Sequence, residues 1–82
     1  MLRGNQIRGA RGLLGMSQHQ LAKLAKVGVA TIRRMEAVDG LVPGNVETAS
    51  RIRDALEDAG IIFIEQDEEG GAGVRLKGPS HT

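Results

Sequence analysis

The chain has 82 residues, with eleven Lys and Arg against ten Asp and Glu, no Cys, no Trp or Tyr, and one Phe, Phe63. One small domain of this length buries only about 60–65% of its unfolded surface, so its aliphatic core is marginal and dimerisation is one way to extend it. The lack of Cys excludes a disulfide framework or thiolate metal site and fits a reducing compartment, and no apolar run is long enough for a membrane span or a signal core, so a soluble cytoplasmic protein is expected.

Asn5 is placed to cap a first helix reaching about Leu14, with Ile7, Ala10 and Leu14 as its buried stripe and Arg8 and Arg11 off it. Gly9 and Gly12 each cost roughly 1 kcal/mol relative to Ala inside a helix, and one of them is expected to permit close packing. Gly15 ends the helix. Ser17 caps a second helix, Gln18–Ala25, in which Leu21, Leu24 and Ala25 recur at helical spacing. Lys26-Val27-Gly28 interrupts the pattern. Gly28 begins a third helix over residues 29–38, where Ile32 and Met35 restart the pattern with Arg33 and Arg34 between them.

Asp39-Gly40 and Pro43-Gly44 mark turns. Asn45 caps a longer helix to about Ala59, with Val46, Ala49, Ile52 and Leu56 on one face and Gly60 as its stop. Residues 61–65 are β-branched and aromatic, residues 66–73 read as a flexible acidic loop, and Val74-Arg75-Leu76 alternates as a return strand. An isolated hairpin is marginal, so this one must pack on the helices or pair with another chain. Residues 78–82 are expected to form a disordered tail.

Two short helices joined by a three- or four-residue turn containing Gly form the unit that places a helix in the DNA major groove. Residues 7–56 resemble the Cro and phage-repressor-type helix-turn-helix family, often called the XRE family. The matching elements are Arg11, Ser17-Gln18, Leu21-Ala22, Val27, Thr31-Ile32 and Glu36, then a Pro-containing loop and a final helix ending Arg53-Asp54-Ala55-Leu56. The resemblance implies a mainly α, lambda-repressor-like bundle of four or five short helices in residues 1–60, with residues 61–77 as a β-hairpin extension. It implies that helices two and three meet at the small Ala22. It places Leu21, Leu24, Val27, Ile32 and Met35 in the core, and makes Arg11 and Glu36 an internal ion pair between helix one and the end of helix three. Gln18 matches a position that contacts a phosphate or an outer base, where free helix N–H groups suit an anion. Val29, Ala30, Arg33 and Arg34 match the outward face of the recognition helix. Arg there binds a guanine edge or a phosphate, and Val29 and Ala30 touch only thymine methyls.

The chain also departs from that pattern. Lys26 stands where the family usually has Gly, at a position that often needs positive φ, at a cost of about 1 kcal/mol. Gly28 replaces the usual Ser or Thr cap of helix three, whose hydroxyl often bonds phosphate. Val29 and Ala30 replace polar readers. The following loop is Val38-Asp39-Gly40-Leu41-Val42, with one acid and no cation.

Residues 1–36 carry seven basic residues and one acid, +6, while residues 37–82 carry four basic residues and nine acids, −5. The basic half points to a polyanion. The first expectation is therefore a sequence-specific, DNA-binding transcriptional regulator. It would act as a dimer on a two-fold operator, joined through the edge of residues 61–65. Gln18, Lys23, Lys26, Gly28, Val29, Ala30, Thr31, Arg33 and Arg34 would form its DNA surface. The alternative is an antiactivator on the same fold that sequesters another regulator. Its surface would be Val29, Ala30, Leu41 and Val42, ringed by Arg33 and Arg34, or the hairpin edge at Ile62 and Ile64. An antitoxin that presents acidic residues 65–69 to a basic toxin is a third reading.

An enzyme is not expected. Ser17 is explained as a cap, and His19 and His81 are too far apart in sequence to make a good metal site. Gly70-Gly71-Ala72-Gly73 lacks the Lys and strand-to-helix setting of a phosphate loop, and residues 67–69 lack calcium-loop spacing. No metal or cofactor is expected.

Overall fold

Four helices precede a two-stranded antiparallel hairpin: α1 (Gly4–Leu14), α2 (Gln18–Ala25), α3 (Val29–Glu36), α4 (Val46–Asp58), β1 (Ile61–Ile64) and β2 (Gly73–Leu76). This computed structural model describes residues 2–42 and 44–78. The expected turn residue Pro43, the expected tail beyond Gly78 and His81 lie outside the described residues. Among the described residues no helix is long and apolar enough to cross a membrane.

Each helix contributes to one core. Ile7, Leu21, Ile32, Met35, Ile52 and Leu56 are fully buried. Each such side chain stabilises the fold by about 1.5–3 kcal/mol through removal from water. Ile61 and Phe63 of β1 belong to the same hydrophobic cluster, with Val74 and Leu76 of β2 packed against it. The strands pair Ile61 with Leu76 and Phe63 with Val74 on this inner face, and Ile62 with Arg75 and Ile64 with Gly73 on the outer one. β2 lies on α1 and β1 on α4. The hairpin therefore shares the helices' core.

Several local expectations change. Arg3, not Asn5, is the N-cap of α1, and no side chain caps the helix in the ordinary way. A backbone bridge anchors the helix start instead. The Gly4 N–H donates to the Gly40 carbonyl at 2.9 Å and the Val42 N–H to the Leu2 carbonyl at 3.1 Å. This close approach requires Gly4, because a Cβ there would stand 1.8 Å from the Val38 carbonyl oxygen. Gly12 has open space around it, whereas a Cβ added at Gly9 would stand 3.2 Å from Val74 Cγ2, tighter than ordinary contact, so Gly9 permits the close packing of β2. α3 stops at Glu36, two residues early, because Arg8 donates to the Glu36 and Val38 carbonyls and pairs with Asp39 as the chain turns away.

Leu24 is 57% exposed and Val46 85% exposed, so neither belongs to the core. α2 turns Leu21, Ala22 and Ala25 toward its neighbours, which leaves Leu24 outside that strip. Val46 opens α4 more than a turn before Ile52, the first fully buried residue of that helix. The hairpin loop contains a local turn. Asp67 Oδ1 accepts from the Glu69 and Gly70 N–H groups at 2.8 and 3.0 Å, the bonding of an Asx turn.

Gln6 joins the first helix to the hairpin. It is 2% exposed. Its Oε1 accepts from the Arg3 N–H at 3.0 Å, and its Nε2 donates to the Ile64 and Gly73 carbonyls at 3.3 and 3.1 Å. A buried amide is tolerated only when bonded in this way. Replacing it with an apolar side chain of similar size leaves the backbone partners without theirs. Gln6→Leu is expected to destabilise the fold by about 2 kcal/mol. Thermal denaturation measures the loss, and hydrogen exchange should show it first as faster exchange in β1.

Candidate functional site

The α2–turn–α3 unit is built from local signals. Ser17 Oγ accepts from the Gln20 N–H at 3.0 Å while Gln20 Oε1 accepts from the Ser17 N–H at 2.8 Å. This reciprocal capping fixes where α2 starts. Ala22 is buried between the helices. α2 ends with Lys26 at φ 59°, a left-handed conformation, and the Val27 N–H closes the turn on the Ala22 carbonyl at 3.0 Å. Lys26 is thus the non-glycine residue with positive φ among the described residues. Gly28 caps α3 from an extended conformation and supplies no side-chain bond.

A buried carboxylate fixes the orientation of this unit. Glu36, 4% exposed, receives Arg11 through two bonds, Nε to Oε2 at 2.6 Å and Nη2 to Oε1 at 2.7 Å. Arg11 Nη1 also donates to the Met16 carbonyl at 2.9 Å, which holds the α1–α2 corner. The hydrogen bond to Glu36 raises the Arg11 pKa above its already high ordinary value. Gln18, expected to face a phosphate or base, donates its side-chain amide to Glu36 Oε1 at 3.2 Å. Its contribution to an outer surface is therefore the start of α2 rather than its amide.

On α3 the exposed residues are Ala30, Arg33 and Arg34, and Ala37 continues them beyond the helix end. This is one face by helical spacing. Val29 is half-buried and packs against the core, and Thr31 is also half-buried. Arg33 and Arg34 have no hydrogen-bonding or ionic partner among the described residues. Elsewhere Arg8, Arg11, Arg51 and Arg53 are committed to Asp39, Glu36, Glu47 and both Glu57 and Glu65. Arg53 also lies 4.8 Å from the centre of the Phe63 ring, and its hydrogen bond lowers the Glu65 pKa.

Other expected site residues are more scattered. Lys23 borders a cleft with Leu14, Met16 and Gln20. Lys26 borders another with Arg51, Asp54 and Asp58, where two carboxylates balance the two cations. Leu41, 49% exposed, faces the hairpin loop at Glu65–Glu68 across a cleft, whereas Val42 faces Leu2, Val46 and Ala49. These two residues thus border different clefts. Ile62 is half-buried and Ile64 exposed on the outer hairpin face. No group of three or more His, Cys, Asp or Glu side chains among the described residues is gathered to hold a metal ion.

Arg8 and Gln6 were not distinguishable as positioning residues from pattern alone. Arg8 did carry one signal, its place a turn before Arg11 on the same side of α1. Glu36→Ala is expected to destabilise the fold by about 2 kcal/mol, because it takes the carboxylate away from the half-buried Arg11 guanidinium. Chemical denaturation gives that loss directly. Lys26→Gly should have the opposite sign and raise stability by about 1 kcal/mol by relieving the left-handed Lys. A melting temperature that does not rise rejects that account of the turn. Compared with models of protein families and with curated proteins, the chain matches none.

Proposed function

We propose that the protein is a sequence-specific DNA-binding transcriptional regulator of the XRE helix-turn-helix type that reads the major groove with α3. The observation that carries this reading is the pair Arg33 and Arg34. They are exposed side by side on the second helix of the unit, without partners among the described residues, while four other arginines are tied to carboxylates. A guanidinium left free in this way suits a guanine edge or a phosphate. Ala30 and Ala37 add no bulk on that face, so the helix can come close to base edges. Gly28 and the first turn of α3 would meet the backbone through N–H groups.

A second reading keeps the fold and changes the partner: an antiactivator that binds another regulator. It is supported by the loop after α3, where Asp39 is 86% exposed even while held by Arg8, and where Val38 and Leu41 are also exposed. A carboxylate at that place repels a phosphate backbone and suits a basic protein surface.

Titration with a generic DNA duplex at low salt separates the two, since non-specific binding is electrostatic and needs no operator. Amide shifts centred on α3 that vanish as salt rises support DNA binding. Their absence at low salt favours the protein partner. Arg33→Ala with Arg34→Ala is expected to weaken DNA binding at least about tenfold and to reduce the salt slope by about two, with stability within about 0.5 kcal/mol of the parent. An unchanged affinity removes these residues from the site.

A further inference from the structure

Asp39-Gly40 is the single place in the sequence where Asp or Asn precedes Gly. The fold leaves that pair reactive. The Asp39 side chain is 86% exposed, on the bend after α3. The Gly40 N–H has no hydrogen-bond partner among the described residues, although the Gly40 carbonyl accepts from Gly4. Apart from the chain neighbours, no atom lies within 4 Å of the place a Cβ would take at Gly40, and its φ is not positive. The amide nitrogen is therefore free and unshielded, next in the chain to an exposed carboxyl group. At Asn5, Asn45, Asp54, Asp58 and Asp67 the following residue carries a side chain that crowds its amide.

We propose that Asp39 is a site of spontaneous covalent modification, converting to isoaspartate through a cyclic imide with Gly40. Arg8 binds one Asp39 oxygen, but both partners are exposed, and a surface ion pair of this kind opens without unfolding. The released carboxyl group, in its protonated form, is attacked at Cγ by the Gly40 nitrogen. A new C–N bond forms, and the nitrogen's proton and the carboxyl hydroxyl leave as water. A water molecule then cleaves the original bond between the Asp39 main-chain carbonyl carbon and that nitrogen. The chain now runs through Cγ, a free α-carboxylate remains, and the mass is unchanged. The product is one carbon longer between Asp39 Cα and the Gly40 nitrogen, in a segment without slack. The Gly4 N–H meets the Gly40 carbonyl at 2.9 Å, the Val42 N–H meets the Leu2 carbonyl at 3.1 Å, and a Cβ on Gly4 would stand 1.8 Å from the Val38 carbonyl oxygen. The added carbon displaces this bridge from the start of α1 and carries the carboxylate away from Arg8. The reaction needs neither DNA nor a protein partner, so it is independent of the proposed function.

Incubation of the full chain in neutral buffer at physiological temperature tests the proposal. Isoaspartate is counted with an isoaspartyl-specific carboxyl methyltransferase and located by electron-transfer fragmentation in a mass spectrometer. It is expected at Asp39, with no change in mass. Gly40→Ala should slow its formation at least about tenfold with an unchanged circular dichroism spectrum, since the added methyl meets no neighbour. Asp39→Asn keeps the geometry but presents a neutral amide to the same nitrogen, so it should form isoaspartate at least about tenfold faster, with release of ammonia. In the isomerised fraction of the parent, the Gly4 and Val42 amides should exchange hydrogen at least about tenfold faster than before incubation. The proposal is overturned if the folded parent and Asp39→Asn form no isoaspartate at position 39. Reaction of the same chains in guanidinium chloride would then show that the fold shields the pair. It is equally overturned if Gly40→Ala reacts as fast as the parent.

Discussion

The buried carboxylate of Glu36 is the constraint on which the arrangement of the helices depends. Its two oxygens gather Arg11 from α1 and Gln18 from α2, while Glu36 itself ends α3. One side chain thus sets three helices relative to one another. A carboxylate taken out of water in this way needs both a cation and further donors, and it has both. Apolar packing supplies most of the stabilisation but would tolerate some sliding of short helices. A forked guanidinium on a fixed carboxylate does not, because its two bonds are directional. The outward direction of Arg33 and Arg34 follows from that fixed end of α3.

The overall charge pattern therefore has two parts. The amino-terminal half is strongly basic by count, but Arg8 and Arg11 use their charge inside the molecule. Arg8 neutralises the carbonyl end of α3 and holds Asp39, and Arg11 neutralises Glu36. Lys23 and Lys26 on α2 and its end, and Arg33 and Arg34 on α3, are exposed and remain for an outside anion. The Arg11–Glu36 pair already cancels within the +6 of residues 1–36, so the cation that this sum overstates is Arg8, held by Asp39 of the other half.

Where the information was local, the sequence was informative. The Ser17 cap and its Gln20 partner, the Gly15 stop, the Asn45 cap and the alternating apolar residues of the hairpin all act within a few positions, and the elements begin and end near those signals. The Arg11–Glu36 pair came from a resemblance and not from periodicity. Differences arise where a distant segment decides the outcome. Asn5 is a good cap by type, but the 40–42 segment bonds to the chain ahead of it and moves the helix start to Gly4. Leu24 fits a helical stripe, but α2 has its neighbours on the Leu21, Ala22 and Ala25 side. Gln6 looks like an ordinary polar helix residue until the hairpin folds over it. At the candidate site, the exposed arginines were visible by spacing, whereas the inward turn of Gln18 and the separation of Leu41 from Val42 depend on tertiary packing.

The Gln6 amide bears on how the chain acquires its structure during synthesis. Its acceptors lie 58 and 67 positions further on, at Ile64 and Gly73. When α1 leaves the ribosome, those carbonyls do not yet exist, and the amide must remain hydrated. The helices can gather around Leu21 and Ile32, but the first helix keeps a wet polar side chain on the face that the last strands will cover. Long-range closure of this kind delays the final step until almost all the described chain has emerged. A nascent chain cut off before β2 would therefore expose both an apolar surface and an unmet amide to quality-control proteases, and closure of the hairpin hides the two together.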